Sequence, residues 1–325
     1  MQACAPYVAV AMDSSVVVVV PAHLRSPRDA AWLRRCVDAL AREDALRRIV
    51  VVDDASPVHP PPLAGGAELL TLARKSGPAA ARNRGVERAL ALGAGAVVFT
   101  DHDCVCEPGW AAALVGGLAG GHVAASGVTR ALGRTLLDRY QDFAGAMNGR
   151  WALPGHASLL YGPSCNLAVR ADALRAVRFD EAFPSAAGED LEFCHRLRRL
   201  GTIAFVPGAV VRHDFGYGGT LGGLGRFLGQ VRRYAAADPL LWEKHPELRD
   251  VRSEACAAAD VLAAAPPLDP GAYRRAALSR VRPRSLVPAF FVLRHLTRAV
   301  YRRGRRLTSR RATPEAGVPG APASM

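Results

Sequence analysis

No stretch of the 325 residues is apolar for long enough to cross a bilayer, which takes about 20 residues. The longest late run, Leu286 to Leu293, contains Pro288. The opening stretch MQACAPYVAVAMDSS lacks a basic start, and Asp13 interrupts its short apolar run, so it does not read as a secretory signal. The seven cysteines are odd in number and show no framework spacing. That disfavours disulfides and fits a reducing compartment. Internal repeats are absent as well. These absences lead to the expectation of a soluble, cytoplasmic protein.

Acids and lysine are missing from one long segment. Between Arg274 and Arg311 there are thirteen arginines and no Lys, Asp or Glu. The remainder holds 29 basic and 29 acidic residues, so the formal charge of +13 belongs to this segment alone. Its core, AFFVLRHLTRAVYRRGRR, mixes aromatics with arginine on a potential helix. Such a helix over residues 274–311 can lie on anionic lipid at the inner face of a membrane. The plain alternative is a solvated charge run. Nucleic acid is disfavoured, because the neutral body carries no module for it. The last residues, TPEAGVPGAPASM, have the composition of a disordered tail.

Half of the chain is hydrophobic, ample for a core. The first half alternates strand and helix patterns. VVVVV (Val16 to Val20) is a fully apolar β-branched run closed by Pro21, as in a strand covered on both faces. Asp29 to Leu40 has helical periodicity, and IVVVDD (Ile49 to Asp54) is a strand ending in two acids. After a short strand at Leu69 to Leu72, GPAAARNRGVERALALG places Pro78 near a helix start and Gly93 at its end. AVVFT is a fourth strand. This alternation predicts a parallel sheet with helical crossovers. Ligands bind beyond the carboxyl ends of such strands, where Asp53, Asp54, Asp101 and Asp103 all fall. In the second half, SCNLAVRADAL is a strand turning into a helix, and GEDLEFCHRLRRLG is a helix with acids in its first turn. TIAFVPGAVVRHDF reads as two short strands, and Leu221 to Ala236 as a helix.

Within AVVFTDHDCVC, Asp101 and Asp103 are two apart, so an extended chain points both carboxylates to one side. Two acids aimed at one spot repel unless a cation sits between them. A polar turn after a strand is the bland alternative. Zinc on Cys104 and Cys106 is disfavoured, since no second cysteine knuckle lies nearby.

The ordered series VVVVVPAHLR, VVDDASP, KSGPAAARNRGV, FTDHDC, SCNLAVR, FDEAF, GEDLEFCHRLRRLG and VVRHDF resembles the family 2 glycosyltransferases. The resemblance covers roughly residues 15–235. It implies a GT-A fold: an α/β, Rossmann-like mixed sheet flanked by helices. Residues 1–215 would be the catalytic domain, with the nucleotide-sugar site in about 15–105 and the acceptor half in about 106–215. A helical extension (216–273) and the Arg-rich segment with its tail (274–325) would follow.

The implied activity is inverting transfer of a sugar from a nucleotide-diphospho-sugar, UDP being the favoured carrier, to an unidentified acceptor hydroxyl. The resemblance implies Asp103 as the more direct ligand of Mg²⁺ or Mn²⁺, Asp101 nearer the ribose or metal waters, and His213 as a further ligand. A hydrogen-bonded histidine is the alternative for His213. Asp54 would accept from the donor base, with Asp53 supporting its loop and backbone at Pro21 and Ala22 lining the base site. Arg82 would face the diphosphate or brace the Asp-x-Asp loop. Asp190 would be the general base, with Glu189 its neighbour. Both acids also suit a helix N-terminus. GQVRRY (Gly229 to Tyr234) is similar to the Gln-x-x-Arg-Trp element of processive members, but no membrane spans accompany it. Three competing functions are a basic peripheral membrane protein, a nucleic-acid-binding protein, and a nucleotidyltransferase. The last usually has a glycine-rich loop after its first strand, and PAHLRSPRD has no glycine.

Overall fold

The computed structural model describes residues 15–144, 151–152, 158–218, 221–249, 256–257 and 283–312. The opening stretch and the final tail discussed above lie outside the described residues.

The strand β1 (Val16–Ala22) is buried along its whole length, which is why the sequence uses β-branched residues without alternation. Its neighbours are β2 (Arg48–Asp53) and β4 (Ala96–Phe99), both parallel to it, and β3 (Glu68–Thr71) extends the sheet beyond β2. Between β1 and β2 lies α1 (Pro27–Leu40). Its Ser26 hydroxyl accepts from Asp29 N, and Pro27 fills the first turn. The helix α2 (Pro78–Ala91) connects β3 to β4. One face of the sheet, with Val17, Val19, Val50 and Val52, packs on Ala81, Val86 and Ala89 of α2. The other, with Val16, Val18, Val20 and Val51, packs on Leu33, Val37 and Leu40 of α1.

Past β4 the sheet becomes mixed. The following elements are β5 (Cys104–Cys106), α3 (Trp110–Gly116), β6 (Ala124–Ala131), α4 (Leu136–Ala144), β7 (Trp151–Ala152), β8 (Leu167–Arg170), α5 (Ala171–Ala176), α6 (Glu189–Leu197), β9 (Ile203–His213), α7 (Leu221–Lys244), β10 (Cys256–Ala257) and α8 (Val287–Ala312). The main sheet runs β3-β2-β1-β4-β8-β6-β9-β5, with β8 antiparallel to β4 and to β6, and β5 antiparallel to β9. β7 and β10 form a separate antiparallel pair.

Residues 203–213 form one strand, not two. Phe205 faces Ser126 and Val210 faces Val128, so the extra residues around Pro207 and Gly208 bulge out while pairing resumes beyond them. The helix α7 also runs past its expected end, through Pro239 to Lys244. Its last turns bury Leu241 with Leu160, Phe183 and Leu191.

The Arg-rich segment contains α8, which packs against α7 and α4. Phe290 and Leu293 are buried with Tyr140, Phe227 and Val231. Tyr140 meets Phe290 edge-on at 5.6 Å. Phe291 and Val292 stay exposed, but the apolar residues that suggested a lipid-facing helix mostly face the protein interior. Membrane-surface association therefore loses its main support. Among the described residues no helix is long and apolar enough to cross a membrane.

Candidate active site

Parallel pairing gathers the carboxyl ends of β1, β2 and β4, and the cleft lies above them. It has a volume of about 1240 Å³ and is lined by Pro21, Ala22, Asp54, Arg82, Asp101, Asp103, Glu189, Asp190 and His213. Of the residues singled out above, only Asp53 is not in its wall.

Asp53 Oδ1 accepts from Ser56 N at 3.1 Å, tying down the loop after β2. Asp54 accepts from Ser76 N at 2.6 Å and from Gly77 N at 2.9 Å, while its own N–H reaches Ala22 O at 2.8 Å. The start of α2 is thereby held against the ends of β1 and β2. Between the Asp pair and Ser56, Ala55 takes a left-handed conformation with φ 48°, costly for a residue with a Cβ.

Arg82 lies on the inner side of α2 and is 2% exposed. It donates Nη2–H to Asp101 Oδ1 at 2.9 Å and Nη1–H to Glu189 Oε1 at 3.0 Å. Arg82 thus braces Asp101 and also lines the cleft. Burial opposes its charge, but Asp101 and Glu189 outweigh that and hold the guanidinium well above its ordinary pKa. Glu189 is pushed up to about 7 by burial and by neighbouring Asp190, against the pull of Arg82. Next along the same helix, Asn83 clasps Phe179 through both its backbone groups, accepting from N at 2.9 Å and donating to O at 2.9 Å. This contact fixes FDEAF beside Arg82.

The β5–β9 pairing sets Cys104 opposite His213, and Asp214 N donates to Asp103 O at 2.9 Å. The side chains of Asp103 and His213 consequently meet, with Oδ1 and Nε2 3.4 Å apart. Asp103 Oδ1 and His213 Nδ1 are buried and have no hydrogen-bond partner among the described residues. Cys104 completes a potential ligand cluster. Burial, however, raises its thiol well above the ordinary range, and metals bind the thiolate. A carboxylate and an imidazole this close fit one divalent cation, leaving positions for water and phosphate oxygens.

Asp190 is the second residue of α6 and is half-buried at the cleft. The turn before it depends on Gly188, with φ 89° and room for a Cβ only 3.3 Å from Ala237 Cβ. Facing Asp190 is a chain of side chains. Gln141 Nε2 donates to Tyr217 OH at 3.1 Å, Tyr217 OH to Gln230 Oε1 at 3.2 Å, and Gln230 Nε2 to Tyr234 OH at 2.6 Å. Burial and Asp190 raise the Tyr234 phenol far above its usual pKa. Gln230, Arg233 and Tyr234 all come from GQVRRY, so that motif does belong to the cleft.

Other cleft residues carried no signal in the sequence. Asp214 and Arg28 pair at 2.6 Å across the mouth, and Tyr301 enters from α8. Tyr301 also hydrogen-bonds Asp238. Only the fold brings these distant residues together.

Two solved structures share this architecture. One is GalNAc-T7 with UDP, GalNAc and Mn²⁺, at 16% identity and TM-score 0.52, covering 71% of this chain. The present chain spans just under half, 48%, of that protein. The other is the mannosyltransferase PcManGT from Pyrobaculum calidifontis with GDP-Man and Mn²⁺, at 19% identity and TM-score 0.51. There 92% of this chain and 84% of that one are covered. At these identities the likeness concerns the fold. Comparison with curated proteins gives no match. The family model Glycosyl transferase family 2 matches residues 17–180, a span from β1 to Asp180 that includes both acid pairs and Arg82, and the chain belongs to that family.

Proposed function

We propose that this protein transfers a sugar from a nucleotide-diphospho-sugar to an acceptor hydroxyl, with inversion, using a divalent cation held by Asp103 and His213. The observation that carries the proposal is Asp103 Oδ1, buried in the cleft with no hydrogen-bond partner among the described residues and 3.4 Å from His213 Nε2. UDP is the favoured carrier. The structures that share the fold were solved with UDP or GDP-Man and with Mn²⁺, which supports a sugar nucleotide and a cation as a class. Mg²⁺ would suit the same ligands.

The cation, when bound, would offset charge on the leaving diphosphate. The chain's own residues supply the rest. Asp101, held by Arg82 through Oδ1, lies near Asp103 and would face the ribose or water around the cation. Backbone at Pro21 and Ala22, with Asp54, lines the base site, so residues 15–105 form the donor half. Asp190 accepts the proton of the attacking hydroxyl at hydrogen-bond range. Glu189 is committed to Arg82 and acts as a positioning residue. No candidate nucleophile is needed for a single displacement, which inverts the anomeric centre.

The test is a panel of nucleotide sugars assayed for hydrolysis and transfer with Mn²⁺, with the anomeric configuration of the product followed by NMR. One donor turned over to a product of inverted configuration is expected. Inertness toward every sugar nucleotide, or retained configuration, would defeat the proposal.

A further inference from the structure

A second cluster of metal-binding side chains lies outside the cleft wall. His195 is in the last turn of α6, and His245 and Glu247 follow the end of α7. Glu247 Oε1 is 2.8 Å from His195 Nε2 and 3.6 Å from His245 Nδ1. All three donor atoms fall within 4.8 Å of one another. Ligands at about 2.0–2.1 Å from a tetrahedral zinc ion are roughly 3.4 Å apart, a value the two observed spacings bracket.

The surroundings favour an ion over a plain hydrogen-bond cluster. The far nitrogen of His245, Nε2, is 3.0 Å from Glu192 Oε1. Glu192 is 2% exposed, and Arg196 donates to both its oxygens. A metal-bound histidine almost always gives its other N–H to a carboxylate in this way. With its proton on Nε2, His245 turns a lone pair on Nδ1 toward the Glu247 carboxylate. Lone pair then faces anion, and a cation between them removes the conflict. Arg199 comes no nearer to Glu247 Oε1 than 3.8 Å.

We propose that His195, His245 and Glu247 hold a zinc-class divalent cation, with water completing a tetrahedron, that clips the end of α6 to the end of α7. Imidazole ligands select zinc and its later transition-metal neighbours, in contrast to the oxygen-rich cleft. The clip sets the two helices that carry Asp190 and Tyr234 relative to each other. Of the three, only Glu247 is half exposed, and it gives the ion a way in.

The test uses the full chain with Asp103→Ala to blank the cleft, stripped by chelator and titrated with Co²⁺. One equivalent should bind with the intense visible absorption of a tetrahedral site, and Zn²⁺ should displace it. Adding Glu247→Ala, at an exposed position that leaves the core intact, should weaken binding at least ten-fold, as should His195→Ala. Zn²⁺ should also raise the Tm of the Asp103→Ala protein and leave that of the Asp103→Ala/Glu247→Ala protein unmoved. In the wild-type background, Glu247→Ala should lose one bound equivalent. No Co²⁺ uptake by the Asp103→Ala protein, or uptake and Tm shift unchanged by Glu247→Ala, would overturn the proposal.

Discussion

Arg82 is one buried cation serving two carboxylates, and removing it leaves Asp101 and Glu189 without their partner. Arg82→Met should cost about 3–5 kcal/mol, the usual result of breaking a buried pair from one side, measurable by urea unfolding. Sharing one cation also leaves Glu189 undercompensated. Burial and Asp190 raise its folded pKa from 4.5 to about 7. The folded state then binds more protons than the unfolded state across that window, so stability falls as pH rises through it. Without added divalent metal, the wild-type chain should lose stability relative to Glu189→Gln between pH 4.5 and about 7, then level off. A flat difference would place the Glu189 pKa elsewhere. Asp190→Asn should lower kcat by about 10²–10⁴-fold with donor affinity little changed, since proton acceptance belongs to the chemical step. Equal losses in binding and turnover would point to a donor-binding role instead. Asp101, Asp103 and His213 were singled out by the ordered series of motifs together, since Asp-x-Asp alone suits a polar turn, and the structure gathers all three in one cleft. The orientation of Arg82 was not legible, because spacing on a helix does not show which neighbour its long side chain reaches.

At the scale of elements, α2 determines how the acids are arranged, because it carries Arg82 and lies directly on β1. That close approach requires Gly85, where a Cβ would stand 2.2 Å from Val19 Cγ1. Gly85→Ala should therefore destabilise by about 1–3 kcal/mol through overpacking, and should shift the Arg82–Asp101 bridge enough to reduce turnover. Retained stability in a denaturant titration would show that α2 can move away freely. The elements with strong periodicity or uniform burial, β1, β2, β4, α1 and α2, were read correctly from sequence, as were β3, β8, α6 and most of α7. Two strands of the mixed half, β5 and β6, escaped. β5 is three residues long, and AASGVTRA of β6 has too little alternation to declare a strand. The bulge at Pro207 and Gly208 hid the continuity of β9, since proline and glycine ordinarily mark a break.

At the scale of the molecule, the C-terminal helix is part of the cleft. Composition alone made α8 resemble a detachable basic tail, because charge counting cannot show that Phe290 and Leu293 have partners on α4 and α7. Phe290 is 3% exposed. Phe290→Ala should cost about 3–5 kcal/mol, and ending the chain at residue 282 should expose the Tyr140–Phe227 cluster and remove Tyr301 from the cleft. The truncated protein should bind a hydrophobic dye and lose donor turnover. A truncated form with unchanged Tm and activity would return α8 to the status of a tail.

The most direct test of the central claim is donor turnover in the wild-type chain and in Asp103→Ala, each stripped of metal and then supplied with Mn²⁺. Stripping would also empty a second site, so the comparison between the two chains carries the weight. Mn²⁺ should restore turnover to the wild type and leave Asp103→Ala inactive, though folded with an unchanged circular dichroism spectrum. Turnover by the wild type in excess chelator, or by Asp103→Ala at the wild-type rate, would contradict a cation held by Asp103 and His213.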